Sequence, residues 1–207
     1  MKNNIKHNFK MLKNIIRKIV REKIHDTSPV SDIEIKRIKS LERFKSTETI
    51  FFEKKIKIVD SVTFLNSYNE IFLEEIYKFH EENSDIIIID CGANIGLATI
   101  YLKMNFPHAK ITSFEPDPNI FNALQYNISS FGFKGVILRN EAISNQESLM
   151  RFHIEGGHSG TLTNDINDTN SVEVKAISLR KFLEEYEQIT FLKIDIEGHE
   201  KNIISDI

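Results

Sequence analysis

Ile86-Ile87-Ile88-Ile89-Asp90-Cys91-Gly92-Ala93-Asn94-Ile95-Gly96 is the stretch on which the reading of this chain turns. Four consecutive isoleucines are too few for a helix and too apolar for an exposed strand, so they predict a buried parallel strand. Asp90 ends the run and a turn of small residues follows. Gly92 and Gly96 let the backbone bend tightly and approach a ligand, and Asn94 is one of the few other residues that tolerates positive φ. The apolar segment Leu97 to Met104 suits a helix, so the loop joins a strand tip to a helix N-terminus. In open α/β sheets that junction is the ligand crevice. A strand–turn–helix that binds nothing is the alternative.

Glycine spacing separates the candidate ligands. A dinucleotide fingerprint places glycines as G-x-G-x-x-G against a pyrophosphate. Here the order is Asp-x-Gly-x-Asn-x-Gly, with the second glycine missing and the third one residue early. Asp90 would repel a pyrophosphate and suits a cationic group such as an amino acid's ammonium. S-Adenosylmethionine carries that ammonium and a sulfonium, and has no phosphate. A second acid, Glu115, lies 25 residues after Asp90, at the end of the short strand Lys110 to Phe114. An acid at that place accepts hydrogen bonds from ribose hydroxyls; a solvated loop acid is the other reading. Pro116 and Pro118 end the strand, and Asp117 is positioned to cap a helix over Pro118 to Ser129.

Three blocks now stand in order: Ile89 to Gly96, Phe114-Glu115-Pro116-Asp117, and Leu192-Lys193-Ile194-Asp195-Ile196-Glu197-Gly198-His199-Glu200. Together they resemble the FkbM-type S-adenosylmethionine-dependent methyltransferases, over roughly Phe51 to the end of the chain. The resemblance implies an α/β, Rossmann-like class I methyltransferase sheet and O-methylation of sugars or other small hydroxylated metabolites. It places Asp90 and Gly92 in the wall of the cofactor pocket, within the turn that also holds Ala93, Asn94 and Gly96, and it sets Glu115 on the ribose. In similar enzymes the residues after the third strand, here Val136 to Arg139, meet the adenine ring. Asn140 and Glu141 are therefore candidates for its exocyclic amine, with a plain polar strand end as the alternative. Tyr68 and Phe72 resemble the segment before the cofactor loop, where side chains wall the site or simply pack in the core.

Catalytic candidates are Asp195, Glu197 and His158. Asp195 and Glu197 are two residues apart and share a face if the segment after the strand Thr190 to Ile194 is extended. One carboxylate would orient the ligand's ammonium or a substrate hydroxyl and the other accept the hydroxyl proton, a division left open. Methyl transfer needs mainly an in-line approach, which positioning supplies, and a general base adds typically about 10²–10⁴-fold. His158, in the glycine-rich segment Gly156 to Thr161, is a candidate base because the unperturbed pKa of histidine lies near neutrality, with a solvated turn residue as the alternative. His199 and Glu200 match no metal-ligand spacing, and no metal is predicted.

The remaining features bound the class. A chain of 207 residues with 41% hydrophobic and 28% charged residues is long enough for one sizeable core and has the balance of a globular protein. The single cysteine, Cys91, excludes an intramolecular disulfide. No apolar run reaches the roughly 20 residues of a membrane span, and no secretory signal is visible, so a cytoplasmic protein is expected. Residues 1–24 hold eight Lys and Arg against one acid, with apolar residues at helical spacing. This predicts a basic amphipathic helix that packs, binds a partner, or touches an anionic membrane surface, placing the chain peripherally at the inner membrane face. No aromatic-interleaved basic groove is present, which argues against nucleic acid.

Two units follow: residues 1–48 as basic helix and linker, including a short helix from Ser31 to Phe44, and residues 49–207 as the methyltransferase domain. Within the latter, Thr49 to Val59 predicts a hairpin, Ser67 to Phe79 a helix, and Ser148 to Ile154 with Val172 to Ile177 an inserted strand pair. Four central strands end near Asp90, Glu115, Asn140 and Asp195. The sheet is expected to be C-terminally incomplete, lacking the final strands of the family. An open sheet side predicts poor folding, homodimerisation, or cofactor binding without turnover, outcomes that lapse if the reading frame continues. A small-molecule or glycan acceptor is the expected partner. A truncated, non-catalytic cofactor-binding or interaction module and an NAD-binding oxidoreductase stay open as alternatives.

Overall fold

A computed structural model describes residues 29–154, 160–163, 168–196 and 200–207. Helix α1, Asp32–Lys39, starts at Ser31, whose hydroxyl oxygen accepts from the Glu34 N–H at 3.2 Å. It stops five residues before the expected Phe44, with the Ser40 hydroxyl donating to the Arg37 carbonyl at 2.7 Å and Phe44 itself at φ 60°. The expected hairpin is present as β1, Thr47–Phe51, and β2, Lys54–Ile58, paired antiparallel. Its two turn residues, Phe52 and Glu53, both have positive φ, 46° and 60°, the backbone that matches strand twist in a two-residue loop. Neither residue favours that conformation. The Phe52 N–H is anchored on the Pro29 carbonyl at 2.9 Å, and its ring packs against Phe51 and Phe72.

The following helix is shifted from its predicted place. Helix α2 runs Ser61–Tyr68 and continues as a π-helical turn, Asn69–Leu73. It begins early because the Asp60 carboxylate accepts from the Thr63 N–H at 2.9 Å and the Thr63 hydroxyl at 2.8 Å. The same carboxylate accepts from the Phe44 N–H at 3.0 Å and pairs with Arg43 at 3.1 Å. It ends before Phe79, with Glu75 at φ 53°. Phe79 leaves the helix path and stacks between Phe106 at 4.4 Å and Phe191 at 4.8 Å.

The central sheet contains β3, Ile87–Cys91; β4, Lys110–Phe114; β5, Val136–Arg139; and β10, Phe191–Ile194. Its order is β10-β3-β4-β5 and every pairing is parallel. Helices α3, Leu97–Asn105, and α4, Pro118–Phe131, make the crossovers. A second sheet holds β6, Ala142–Ser144; β7, Ser148–Ile154; β8, Gly160–Thr163; and β9, Ser171–Ser178, in the order β6-β9-β7-β8. The expected inserted pair is β7 with β9, antiparallel; β6 and β8 extend it on either side. Short helices α5, Leu179–Leu183, and α6, Glu200–Ile204, flank β10.

The isoleucine run does what its composition demands. Ile88 and Ile89 point to opposite faces of β3 and are both 0% exposed, in two different apolar clusters. Each such side chain contributes roughly 1.5–3 kcal/mol. Val30 and Ile38 are buried in the same cluster as Ile88, so residues 29–48, read from sequence as linker, are packed against the domain. Among the described residues no helix is long and apolar enough to cross a membrane. The expected basic helix of residues 1–24 lies outside the described residues.

Candidate functional site

The loop from Gly92 to Gly96 is held by backbone bonds that its sequence makes possible. The N–H groups of Gly92 and Ala93 both donate to the Phe114 carbonyl at the tip of β4, at 3.0 and 2.8 Å. Gly92, Asn94 and Gly96 take φ of 78°, 50° and 94°, as the small-residue turn predicts. Gly92 is required twice over: a Cβ there would lie 1.8 Å from the Asp195 carbonyl oxygen. Its own carbonyl accepts from Lys193 Nζ at 2.7 Å.

Glu115 is buried at the end of β4 and joins the loop to the next helix. One carboxylate oxygen accepts from the Asn94 N–H at 2.9 Å and the other from the Asp117 N–H at 2.9 Å. Burial pushes its pKa up to about 7, against the lowering effect of these two N–H groups. Asp117 caps α4 as predicted, accepting from Asn119 and Ile120. Asn140, a candidate for the adenine amine, uses its amide NH₂ as a strut, donating to the carbonyls of Glu115 at 2.8 Å and Pro116 at 2.9 Å. Glu141 reaches the cavity wall and is ion-paired with Arg139 and, at 2.6 Å, with Lys175. Burial raises its pKa, but these two cations outweigh that and leave it below the usual range.

Asp90 differs from its predicted place. The carboxylate is 0% exposed and lies under the loop, with Oδ1 3.1 Å from Lys193 Nζ and Oδ2 accepting from the Thr99 hydroxyl at 2.8 Å. The cation it meets belongs to the protein. Sequence reading missed Lys193, although a lysine inside the apolar strand Phe-Leu-Lys-Ile is a signal, since buried lysines need partners. Burial alone would lower the Lys193 pKa; Asp90 and Asp195 reverse this and hold it protonated.

Above the loop lies a cavity of about 310 Å³, within the usual size range of ligand sites. Phe114, Ile120, Ile143, Phe152 and Leu162 give it an apolar side; Glu115, Glu141 and Asp195 give it carboxylates. A smaller cavity of about 60 Å³ adjoins it, reaching Tyr77, Lys193 and the first turn of α3. Both share Thr63, Ser67, Glu70, Gly92, Asn94 and Asp195. The helix residues in this wall, Thr63, Asn66, Ser67 and Glu70, recur at the spacing of one helical face, a polar stripe that sequence reading did not use. Tyr68 and Phe72 are on the other side, in an aromatic cluster with Phe51 and Phe64; of their two alternatives, the core is the one observed. Asp195 is 60% exposed and 3.5 Å from Lys193. His158 and Glu197 lie outside the described residues. The structure thus brings Gly92, Ala93, Asn94, Glu115, Glu141 and Asp195 around adjoining cavities, with Asp90, Gly96 and Asn140 supporting them from behind.

Known proteins are similar to parts of this chain. Methyltransferase 1 of Beauveria bassiana (strain ARSEF 2860) is 27% identical over 160 residues, 66% of this chain and 64% of that protein. The 31-O-demethyl-FK506 methyltransferase FkbM of Streptomyces tacrolimicus is 23% identical over 174 residues, 68% of this chain and 67% of that one. A crystal structure of methyltransferase FkbM from Methylobacillus flagellatus KT aligns with a TM-score of 0.45 at 16% identity, covering 62% of this chain and 30% of that chain. The chain therefore spans about two thirds of the length of the two relatives. The methyltransferase FkbM domain model matches residues 90–207, from the acid under the loop onward, more than half of the chain, and the chain belongs to that family.

Proposed function

We propose that this chain forms the cofactor-binding part of an S-adenosylmethionine-dependent methyltransferase that O-methylates a sugar or another small hydroxylated metabolite. The observation that carries this reading is the Glu115 carboxylate in the cavity wall. An ionised carboxylate has about four acceptor sites, and the two N–H groups use one on each oxygen. The remaining sites suit the paired hydroxyls of a ribose. The apolar side formed by Phe114, Ile143, Phe152 and Leu162 suits a flat base. Among the described residues the larger cavity has no Lys, Arg or His in its wall, which disfavours a pyrophosphate and with it the NAD reading. S-Adenosylmethionine supplies an electrophilic methyl group.

The protein's part would be positioning. Gly92 lets the tip of β10 close over the loop, and Asp195 stands exposed at the mouth of both cavities, where it can accept a hydroxyl proton. The Thr63 and Ser67 hydroxyls with the Asp195 carboxylate favour a neutral polyhydroxylated acceptor over an anionic one. Calorimetry of the purified chain is the test. S-Adenosylmethionine should bind and NAD should not, and Glu115→Ala should weaken cofactor binding by at least tenfold with the fold intact. Wild-type protein that binds neither ligand, or a Glu115→Ala variant with unchanged affinity, would overturn the reading.

A further inference from the structure

The Lys193 ammonium has three protons to donate. Gly92 O takes one at 2.7 Å, while Asp90 Oδ1, 3.1 Å away, is an ion-pair partner placed outside hydrogen-bond geometry. The other acceptors are distant, 3.4 Å to the Cys91 carbonyl and 3.5 Å to Asp195 Oδ2, beyond the usual N–H···O range of about 2.7–3.2 Å, so at least one N–H lacks a short partner. Lys193 borders the smaller cavity, and among the described residues it is the single Lys, Arg or His in the wall of either one. Its side chain is 5% exposed, whereas that of Asp195 is 60% exposed. Asp195 can therefore turn to water while Lys193 stays. At roughly 10–15 Å³ per water-sized group, the smaller cavity holds about four to six such groups, the size of an amino-acid head group.

We propose that Lys193 is a cofactor-binding residue whose remaining N–H donates to the α-carboxylate of S-adenosylmethionine, with the amino-acid end of the cofactor in the smaller cavity. This rests on the cofactor reading above. A carboxylate there replaces two long contacts with one short charge-assisted bond. It also brings the cofactor's ammonium against Glu70, in the π-helical turn that continues α2 along this cavity. The role of Asp90 becomes that of a counter-ion beneath the lysine, which explains why its own carboxylate faces away from the ligand.

The test compares S-adenosylmethionine with decarboxylated S-adenosylmethionine, which keeps the sulfonium, the amine and the adenosine. Calorimetry on the wild-type chain should show at least a tenfold preference for the carboxylated form, and Lys193→Met should abolish that preference. Removing a buried cation strands Asp90, so the Asp90→Asn/Lys193→Met double variant serves where the single one does not fold. Equal wild-type affinity for both ligands overturns the Lys193 assignment and leaves the cofactor reading standing. A Lys193→Met variant that weakens both ligands equally, with the preference intact, also overturns it, because that is the signature of a purely structural lysine. Failure of the wild type to bind either ligand overturns both.

Discussion

Replacing Gly92 by alanine tests the geometry of the loop most directly. Two costs add. An L-residue at φ 78° pays the left-handed penalty, about 1–2 kcal/mol. The new Cβ would also lie 1.8 Å from the Asp195 carbonyl oxygen and 2.9 Å from its carbon, where atoms closer than 3.0 Å must move. The obstacle is backbone at the end of β10, tied to β3 by the Asp195 N–H on the Cys91 carbonyl at 3.1 Å, so it cannot swing aside as a side chain would. Overpacking of this kind costs typically about 1–3 kcal/mol, giving about 2–5 kcal/mol in all. Gly132 provides the control. It sits at φ 63° after α4 with nothing within 4 Å of an added Cβ, so Gly132→Ala should cost only the conformational part, about 1–2 kcal/mol. Urea unfolding followed by circular dichroism measures both, provided the denaturant slope is unchanged. A Gly92→Ala variant no less stable than Gly132→Ala would refute the close approach of β10 to the loop.

Glu115 predicts a pH dependence. Its pKa of about 7 lies above the ordinary 4.5, and hydroxyl donation needs the ionised form, so cofactor affinity should fall as pH drops below about 7, approaching tenfold per unit; a flat calorimetric profile contradicts this. The folded ligand-free chain also holds this proton more tightly than the unfolded one. The group's contribution to stability is therefore greatest below about 4.5 and declines as pH rises to about 7. Asn127 is a fully buried staple, its Oδ1 accepting from the Lys57 N–H at 2.7 Å and its NH₂ donating to the carbonyls of Lys57 and Ile95 at 2.9 and 2.8 Å. Asn127→Ala should cost about 2–4 kcal/mol in urea unfolding, since it strands three backbone groups, a buried Ile95 carbonyl and two part-buried groups of Lys57, and a loss below about 1 kcal/mol would count against that account.

What the sequence made legible is what one residue's surroundings enforce locally. The Ile86–Ile89 run could only be a strand covered on both faces, and Asp117-Pro118 could only open a helix. The positive φ at Gly92, Asn94 and Gly96 follows from the residue types. The misplaced helix has a different cause. Ile76, Tyr77 and Phe79 continue an apolar pattern past Leu73, but Phe79 is drawn into a stack with Phe106 and Phe191, partners far off in sequence. Asn127 gave no signal for the same reason: its hydrogen bonds go to Lys57, 70 residues away. Asp90 read as a ligand-facing acid because its counter-ion lies 103 residues further along the chain.

That distance also shows why the three sequence blocks belong together. The peptide on either side of Gly92 is gripped by all of them: Phe114, from the Glu115 block, takes its N–H; Lys193, from the Asp195 block, donates to its carbonyl; Asp195 bars any side chain. The Asp90–Lys193 pair beneath is nearly solvent-free, and such a pair gains little over an apolar substitute. Its value lies in placement. With Asp90 neutralising it from below, a lysine can be kept charged inside a β-strand, and a charged lysine is what fixes the Gly92 carbonyl. The loop's shape is thus set by an electrostatic contact between strands β3 and β10, and a perturbation at either end of that contact reaches the floor of the cavity.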